Sequence, residues 1–374
     1  MKVLFISNNW ADAHQQTRLH GLTQSGFIMT CLAVFRNYYP VKYPLLPISL
    51  GEIAHAHYAK RSRIYWRLFI QLWKNADYND CVYVYGFDLL LTTVIYKTFS
   101  RQKIRIIYEI PDIRELFFAE NIAGKLIRKI EQIIIPHIDQ LVVTSPEFVS
   151  EYFTKHRKIC VKHYLVIENK VHSGQLPEDT FVNTPMNCFN RKIRIGYFGV
   201  LRCKNSLNCL ISLAEKNQFE IILRGIFMPD TSPFEEKIKN SRNIFYYGPY
   251  QVPEHLRMIY NKVDIVWGAY PFSKNETGNH LWARTNRFYE SLFFKKPIIL
   301  QKGTADADKA RQLGSIALEI DMKNEDQVIR DLSTMITPDY LKSASALMHD
   351  ITENHYQITT EYKNLVRCLQ QKKS

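Results

Sequence analysis

Residues Ile193–Ser206 read IRIGYFGVLRCKNS, a sequence typical of a buried strand, a glycine turn and the first turn of a helix. Gly199 opens the turn directly after the apolar run. A helix that begins behind such a turn presents backbone N–H groups and the positive end of its dipole to an anion. Arg202 and Lys204 add positive charge there, so the stretch predicts a phosphate site; the alternative is a solvated loop with two ordinary basic residues.

Similar apolar runs recur on both sides of this stretch, with segments of helical length between them. Such alternation predicts an α/β fold whose parallel sheets are covered by helices on both faces. The predicted strands are Lys2–Ser7, Ile28–Phe35, Cys81–Tyr85, Ile104–Ile110, Gln140–Ser145, Tyr164–Glu168, Ile193–Phe198, Glu220–Arg224, Ile244–Tyr247, Asp264–Ala269, Pro297–Gln301 and Ile316–Ile320.

The predicted strands form two groups, separated by a segment rich in turn formers at His172–Lys192. We therefore predict two Rossmann-like domains, residues 1–175 and residues 190–348, that face each other across a cleft. Open α/β sheets bind ligands at the carboxyl ends of their strands, so the site is expected between the domains. The stretch 350–374 is predicted to be helical, and one arrangement packs it back on the first domain.

The composition is that of a folded protein larger than one small domain. Of its 374 residues, 46% are hydrophobic and 23% are charged, close to the globular average. Seven scattered cysteines without a CxxC pair argue against a disulfide framework or a zinc site and indicate a reducing compartment. The apolar stretch Val3–Ile6 is too short for a signal peptide, and no run approaches the roughly 18 apolar residues of a spanning helix. We expect a cytoplasmic protein.

A second candidate for chemistry is the sequence NHLWARTNRFYE at residues 279–290. Thr285 or Asn286 can cap a helix here, which places Arg287 in its first turn and Glu290 one turn further. A carboxylate at that place can accept hydrogen bonds from both hydroxyls of a ribose; the alternative is an acid on a solvated helix face. The candidate donor-binding residues of this segment are Arg284, Asn286, Arg287 and Glu290.

A series of segments along nearly the whole chain has an order and spacing that are together fairly specific. They are Lys2–Ser7, Asp80–Gly86, Ile107–Asp112, Glu131–Ser145, Val166–Asn169, Gly196–Gly199 with Arg202, Tyr247–Tyr250, Tyr260–Trp267, Asn286–Glu290 and Lys296–Ile299. In these segments the chain resembles the GT-B-fold glycosyltransferases, in particular the family 4-like enzymes of bacterial capsule, exopolysaccharide and O-antigen assembly.

The resemblance implies transfer of a sugar from a nucleotide-sugar donor to a glycan acceptor that is linked to a lipid diphosphate. It also implies retention of the anomeric configuration, with no bound metal and no further cofactor. Glu290 would bind the ribose of the donor, while Arg202 and Lys204 would hold the diphosphate. Positioned cations and helix N-termini stabilise the negative charge that builds as a nucleoside diphosphate departs.

Two positions differ from the family pattern. The carboxylate that usually precedes Glu290 by eight residues is replaced by Trp282, and the residue before Asp112 is Pro111 where the family often has a histidine. We therefore hypothesise that three other side chains position the sugar or the acceptor. These candidate catalytic residues are His14, Asp112 and His280.

The formal net charge of +13 indicates polyanions or anionic membrane surfaces as partners. Residues 60–74, KRSRIYWRLFIQLWK, combine cations with large rings as an interfacial helix does. Clusters at Lys125–Lys129 and Lys155–Lys158 would add attraction to anionic lipid. The sequence therefore predicts a peripheral contact with the inner face of the plasma membrane; the alternative is a packed helix whose aromatic side chains face the core.

Three other functions remain as alternatives. A nucleotide-sugar epimerase of the same fold would need an acid/base pair near the sugar. A non-catalytic GT-B scaffold is suggested by the missing carboxylate at Trp282. Nucleic acid is not an expected partner, since no helix-turn-helix, RNA-recognition or zinc signature accompanies the charge.

Overall fold

The computed structural model describes residues 1–36, 45–53, 61–75, 80–177, 191–271 and 278–370. The chain folds into two compact units. Unit 1 comprises Met1–Glu168 with Thr359–Ser374, and unit 2 comprises Asn169–Ile358. Much of the predicted linker, residues 178–190, lies outside the described residues.

Unit 1 is built on a seven-stranded parallel sheet in the order β3-β2-β1-β4-β5-β6-β7. Its strands are β1 (Lys2–Ser7), β2 (Ile28–Phe35), β3 (Ile48–Glu52), β4 (Cys81–Tyr85), β5 (Arg105–Ile110), β6 (Gln140–Val143) and β7 (Tyr164–Val166). Its α-helices are α1 (Ala13–Gln24), α2 (Arg61–Asn75), α3 (Phe87–Ser100), α4 (Ile122–Ile134) and, near the end of the chain, α13 (Glu361–Gln370).

The central strands of unit 1 are apolar on both faces because helices cover the sheet on both sides. Phe5 of β1 lies opposite Cys31 of β2 and Tyr83 of β4, and all three side chains are buried. The six strands predicted for this part of the chain are present. The edge strand β3 was not predicted, since only Leu50 among its five residues is buried and the run carries little apolar signal.

Unit 2 is built on a six-stranded parallel sheet in the order β10-β9-β8-β11-β12-β13. Its strands are β8 (Ile193–Leu201), β9 (Phe219–Phe227), β10 (Ile244–Tyr246), β11 (Ile265–Trp267), β12 (Ile298–Gln301) and β13 (Ala317–Ile320). Its helices are α5 (Lys204–Ala214), α6 (Phe234–Lys239), α7 (Leu256–Asn261), α8 (Asn279–Trp282), α9 (Asn286–Phe293), α10 (Ala305–Gln312), α11 (Glu325–Met335) and α12 (Pro338–His349). All six predicted strands are present.

The end of the chain returns to the first sheet. The guanidinium of Arg105 in β5 donates hydrogen bonds of 2.8 Å to the carbonyl oxygens of Cys368 and Leu369. The ring of Tyr362 lies 5.0 Å from the guanidinium carbon of Arg18 in α1. Unlike the continuous helix that was predicted for residues 350–374, the described part of this stretch contains α13 and a short turn before it.

Among the helices of the described ranges, none combines the length and the apolar character needed to cross a lipid bilayer.

Candidate functional site

In unit 2, several predicted residues meet at the carboxyl ends of β8 and β11, which are neighbours in the sheet. Gly199 and Arg202 lie at the end of β8 and directly after it, and Tyr270 follows β11 by three residues. Helix α8 supplies His280, and the first turn of α9 supplies Arg287. The structure thus brings together four of the predicted residues and adds Tyr270, which was not predicted.

Arg287 lies against two aromatic rings. Its guanidinium carbon lies 5.0 Å from the ring centre of Tyr197 and 4.8 Å from that of Tyr270. The guanidinium donates one hydrogen bond to the carbonyl oxygen of Trp267 at 3.3 Å and another to the Tyr270 hydroxyl. The two ring centres lie 6.4 Å apart, so the rings meet the cation on adjoining sides. Together with the two hydrogen bonds, these cation–π contacts restrain the orientation of the guanidinium.

Gly199 allows the main chain to run close to this cation. Its φ of +105° lies in the region that favours glycine. A Cβ at this position would lie 3.8 Å from Nη2 of Arg287 and 4.0 Å from the hydroxyl of Tyr250. The glycine therefore serves the turn conformation and leaves room beside the guanidinium.

His280 lies against both Tyr270 and Arg202. The imidazole stacks on the Tyr270 ring at 4.5 Å with an interplanar angle of 9°, and its Nε2 lies 3.5 Å from Nη2 of Arg202. Burial and the charge of Arg202 lower the pKa of His280 to about 4. The imidazole is therefore neutral near pH 7, and with its proton on Nδ1 it accepts a hydrogen bond from Arg202.

Glu290 is buried in helix α9. The helix begins at a Thr285 cap, whose hydroxyl oxygen accepts from the Phe288 N–H at 3.3 Å. The Glu290 carboxylate accepts a hydrogen bond of 2.7 Å from the Tyr260 hydroxyl, and burial raises its pKa. The alternative that Glu290 lies on a solvated helix face is wrong.

The other predicted donor-site residues have different surroundings. Lys204 and Asn286 are exposed first residues of helices α5 and α9. The Arg284 guanidinium is buried and donates to the carbonyl oxygen of Ala305, so it ties the segment before α9 to helix α10. Its predicted contact with phosphate stays a prediction.

A second cluster lies in unit 1 around a buried carboxylate. Oε1 of Glu109 lies 2.7 Å from Nε2 of His14, and both carboxylate oxygens accept hydrogen bonds from the Arg18 guanidinium at 2.8–3.2 Å. The hydroxyls of Tyr83 and Tyr85 donate to its Oε2. Burial alone would raise the pKa of Glu109, but Arg18 and His14 lower it far below its usual range.

The predicted residues His14 and Asp112 both belong to this end of the unit 1 sheet. Asp12 caps helix α1 by accepting from the Gln15 N–H at 3.0 Å. Burial raises the pKa of Asp12, His14 lowers it and Asp112 raises it, so the three groups interact. Asp112 is exposed in the loop after β5. The third predicted catalytic residue, His280, lies in unit 2.

The sequence carried a signal for this cluster that was not used. Glu109 stands next to last in the buried run IIYEI of β5, and a carboxylate buried in a strand needs a cation nearby. Arg18 follows His14 by four residues, so both side chains lie on one face of α1. Tyr83 and Tyr85 lie two residues apart on one face of β4.

Among the residues that the structure describes, no group of three or more His, Cys, Asp or Glu side chains is arranged to hold a metal ion. Reaction without a metal stays a prediction.

No family model matches the chain. The succinoglycan biosynthesis protein ExoL of Rhizobium meliloti (strain 1021) is 27% identical over 350 residues, which are 90% of this chain and 84% of the relative. The crystal structure of the Anabaena protein HepE in complex with UDP-glucose has a TM-score of 0.67 at 12% identity and covers 99% of both chains. The lipopolysaccharide outer core galactosyltransferase WaaB, in its apo form, has a TM-score of 0.63 at 12% identity and also covers 99% of both chains.

These similarities confirm the predicted fold class. The chain has two parallel α/β sheets in separate units, as do the GT-B glycosyltransferases that it was predicted to resemble. At 12% identity the solved structures establish the fold, and the chemistry depends on the residues of the two clusters.

Proposed function

We propose that the protein is a glycosyltransferase that transfers a sugar from a nucleotide-sugar donor to a lipid-linked glycan in surface polysaccharide assembly. The similarity to ExoL, named for succinoglycan biosynthesis, supports the process. The complex of HepE with UDP-glucose and the name of WaaB support the class of donor and of reaction. UDP is therefore the first nucleotide to test.

The observation that carries the proposal is the pair of arginines at the carboxyl ends of β8 and β11. Arg287 is restrained by two neighbouring rings, and Arg202 is exposed beside a neutral His280. Because His280 is uncharged near pH 7, it orients the Arg202 guanidinium and leaves the net positive charge of the site unchanged. Two oriented cations match the negative charge that develops on a departing diphosphate.

We propose that Glu290 recognises the ribose of the same donor. Burial raises the pKa of this carboxyl group, which accepts a hydrogen bond from the Tyr260 hydroxyl. Further hydrogen-bond donors would stabilise its ionised form. The two hydroxyls of a ribose supply such donors. Lys204 and Asn286, at the N-termini of α5 and α9, add exposed polar groups and helix-dipole charge for the phosphates.

Unit 1 is proposed to hold the acceptor. His14 is oriented by the ionised Glu109, and Asp112 lies close enough to interact with the same group of side chains. We propose that His14 and Asp112 position the acceptor hydroxyl or the transferred sugar. Retention of configuration is part of this proposal. Reaction without a metal is also part of it, since the arginines would offset the charge that a metal would otherwise offset.

Calorimetry with UDP, GDP, CDP and ADP, in buffer with a chelator, tests the donor site. We expect one nucleotide to bind selectively, and Arg202→Gln to weaken it about 10- to 100-fold, the value of one charge-assisted hydrogen bond. Arg330→Gln is the matched control, because Arg330 is exposed on α11 and pairs only with Gln327 among its described contacts. Absence of binding by all four nucleotides would contradict the donor site.

The product separates the remaining candidates. Incubation of the protein with radiolabelled UDP-glucose and membranes from a polysaccharide-producing bacterium should move label into the lipid extract. Conversion of the nucleotide sugar without any acceptor would instead identify an epimerase. Tight nucleotide binding with neither product would identify a non-catalytic scaffold.

A further inference from the structure

Three helices of unit 1 lie side by side on one face of its sheet. The connections from β3 to β4, from β4 to β5 and from β5 to β6 all run in one direction across the sheet and contain α2, α3 and α4. Right-handed crossovers therefore place these helices on a common face. The connection from β1 to β2 runs the other way, so α1 lies on the opposite face.

The outward sides of these helices are apolar. In α2, the side chains Ile64, Leu68 and Leu72 are buried, so the tryptophans of the same helix point outward. The most exposed large apolar residues of the three helices are Trp66 (66%), Trp73 (65%), Phe99 (78%), Ile122 (86%), Leu126 (58%) and Ile133 (58%). The alternative prediction, that the aromatic side chains of this segment face the core, is wrong for both tryptophans.

Ring contacts join the aromatic side chains of α2 and α3 into one surface. Trp66 stacks on Phe69 with ring centres 6.3 Å apart and planes within 4°. Tyr96 of α3 receives Phe69 at 5.4 Å and Trp73 at 6.3 Å, both edge to face. The exposed rings of Trp66 and Trp73 are therefore positioned by neighbouring rings of the same unit.

The exposed charged side chains of the three helices are positive. The exposed cations of α2 and α4 are Arg63, Arg67, Lys74, Lys125 and Lys129. The three helices contain two acidic residues, and each is ion-paired within the unit: Asp88 with Arg61 at 3.0 Å, and Glu131 with Arg157 at 2.8 Å. On α4 the exposed positions 122, 125, 126, 129 and 133 alternate between apolar residues and lysines along one stripe.

We propose that this α2–α4 face, made of the six exposed apolar residues and five exposed cations above, docks on an anionic lipid bilayer. Tryptophan and long cationic side chains suit the boundary between hydrocarbon and water, where the ring or stem is buried and the charge meets phosphate. The Lys155–Lys158 cluster, named from the sequence, is not counted in the face, because two of its cations are paired within the unit. Lys155 pairs with Glu151 at 2.8 Å and Arg157 with Glu131.

The inference rests on unit 1 alone and is independent of the nucleotide site. Full-length protein is sedimented with vesicles of phosphatidylcholine, with and without about 30% phosphatidylglycerol. We expect binding only to the anionic vesicles. Binding should weaken as salt rises, because the Debye screening length falls to a few Å near 1 M salt. A blue shift of tryptophan emission should accompany binding, and Trp66→Phe with Trp73→Phe should abolish it, since Trp10 and Trp267 are buried and the half-buried Trp282 belongs to unit 2.

Two pairs of substitutions separate the charge from the apolar contribution. Lys125→Gln with Lys129→Gln should weaken partition about 30-fold, and Ile122→Ala with Leu126→Ala about tenfold or more. The matched controls in unit 2 are Lys237→Gln with Lys239→Gln and Met335→Ala with Leu347→Ala, all exposed helical residues. Circular dichroism and UDP calorimetry verify that each variant is folded.

Equal binding to neutral and anionic vesicles, or no binding to either, would overturn the proposal. So would a loss in the unit 2 controls as large as that in the α2–α4 variants. Retention of anionic-vesicle binding by both pairs of α2–α4 variants would show that another surface meets the lipid. Loss of nucleotide binding in a variant that still sediments would concern the proposed function and leave this inference intact.

Discussion

Each unit contains a buried glutamate, Glu109 in strand β5 of unit 1 and Glu290 in helix α9 of unit 2. The pKa values of the two carboxyl groups are shifted in opposite directions. Glu109 of unit 1 is surrounded by Arg18, His14 and two tyrosine hydroxyls, and its pKa lies far below the usual range. Glu290 of unit 2 has the Tyr260 hydroxyl as its hydrogen-bond donor, and burial raises its pKa. Burial is common to both, so the neighbouring donors decide the protonation state.

The difference separates a carboxylate that is satisfied by the protein from one that still gains from a ligand. The hydrogen bonds of Glu109 come from within its own unit, which suits the orientation of His14. Glu290 has capacity for additional donors, which suits recognition of ribose hydroxyls. Each of the following predictions tests one side of this contrast.

Removal of the charge from Glu109 should have the largest effect on stability. Glu109→Gln leaves the buried Arg18 without its counterion, which should cost about 3–5 kcal/mol of unfolding free energy. Glu290→Gln replaces a carboxylate that is already disfavoured by burial, and should change stability by less than about 1 kcal/mol. Urea unfolding at pH 7 measures both, and equal losses would remove the contrast.

Nucleotide binding should show the reverse order. Glu290→Gln should weaken UDP binding about 10- to 100-fold, because an amide cannot accept from both ribose hydroxyls as a carboxylate does. Tyr83→Phe, which removes one hydroxyl from the Glu109 cluster without stranding Arg18, should leave the UDP affinity unchanged. Calorimetry on the two variants decides, and a comparable loss in Tyr83→Phe would connect unit 1 to donor binding.

The pH dependence of stability should differ in sign between the two glutamates. The folded-state pKa of Glu109 is lowered, so its contribution is present above the unfolded value of about 4.3 and is lost as pH falls. The folded-state pKa of Glu290 is raised, so its contribution is present below that value and is lost as pH rises through the folded pKa. Relative to wild type, Glu109→Gln should gain stability on acidification and Glu290→Gln on alkalinisation.

The slopes are expected to be about 1.4 kcal/mol per pH unit at most within each window. Unfolding free energies from about pH 2 to about pH 7 at low temperature give them, because the Glu109 window lies below the unfolded pKa and the Glu290 window above it. Parallel curves for both variants would show that the two carboxylates titrate alike.

The smallest effect concerns the space beside Arg287. Gly199 and Gly314 have φ values of +105° and +106°, so substitution by alanine should cost each about 1 kcal/mol of stability. A Cβ at Gly314 would meet no atom within 4 Å, whereas at Gly199 it approaches Arg287. Gly199→Ala should therefore also weaken UDP binding a few-fold, and Gly314→Ala should not. Equal affinities would show that this space is unused.

The fold could be predicted from the sequence because parallel strands buried on both faces appear as continuous apolar runs. Strand β3 was not predicted, because an edge strand with one buried residue has no such run. The cap of α9 could be narrowed to Thr285 or Asn286, because capping depends on neighbours in sequence, and the structure shows that it is Thr285. The partners of Glu109 come from α1, β4 and β5, so only the tertiary fold brings them together. Trp66 and Trp73 could not be assigned to core or surface, since either direction fits the pattern of α2.

Helix α13 has a consequence for synthesis on the ribosome. It packs on unit 1, although residues 169–358 must be translated between the two parts of that unit. At about 5–20 residues per second, the interval lasts roughly 10 to 40 s. During that time the surface that Leu365 and Leu369 later bury stays uncovered, while unit 2 emerges as one uninterrupted segment. Until α13 is released, this exposed surface of the first unit is a place for a chaperone to act.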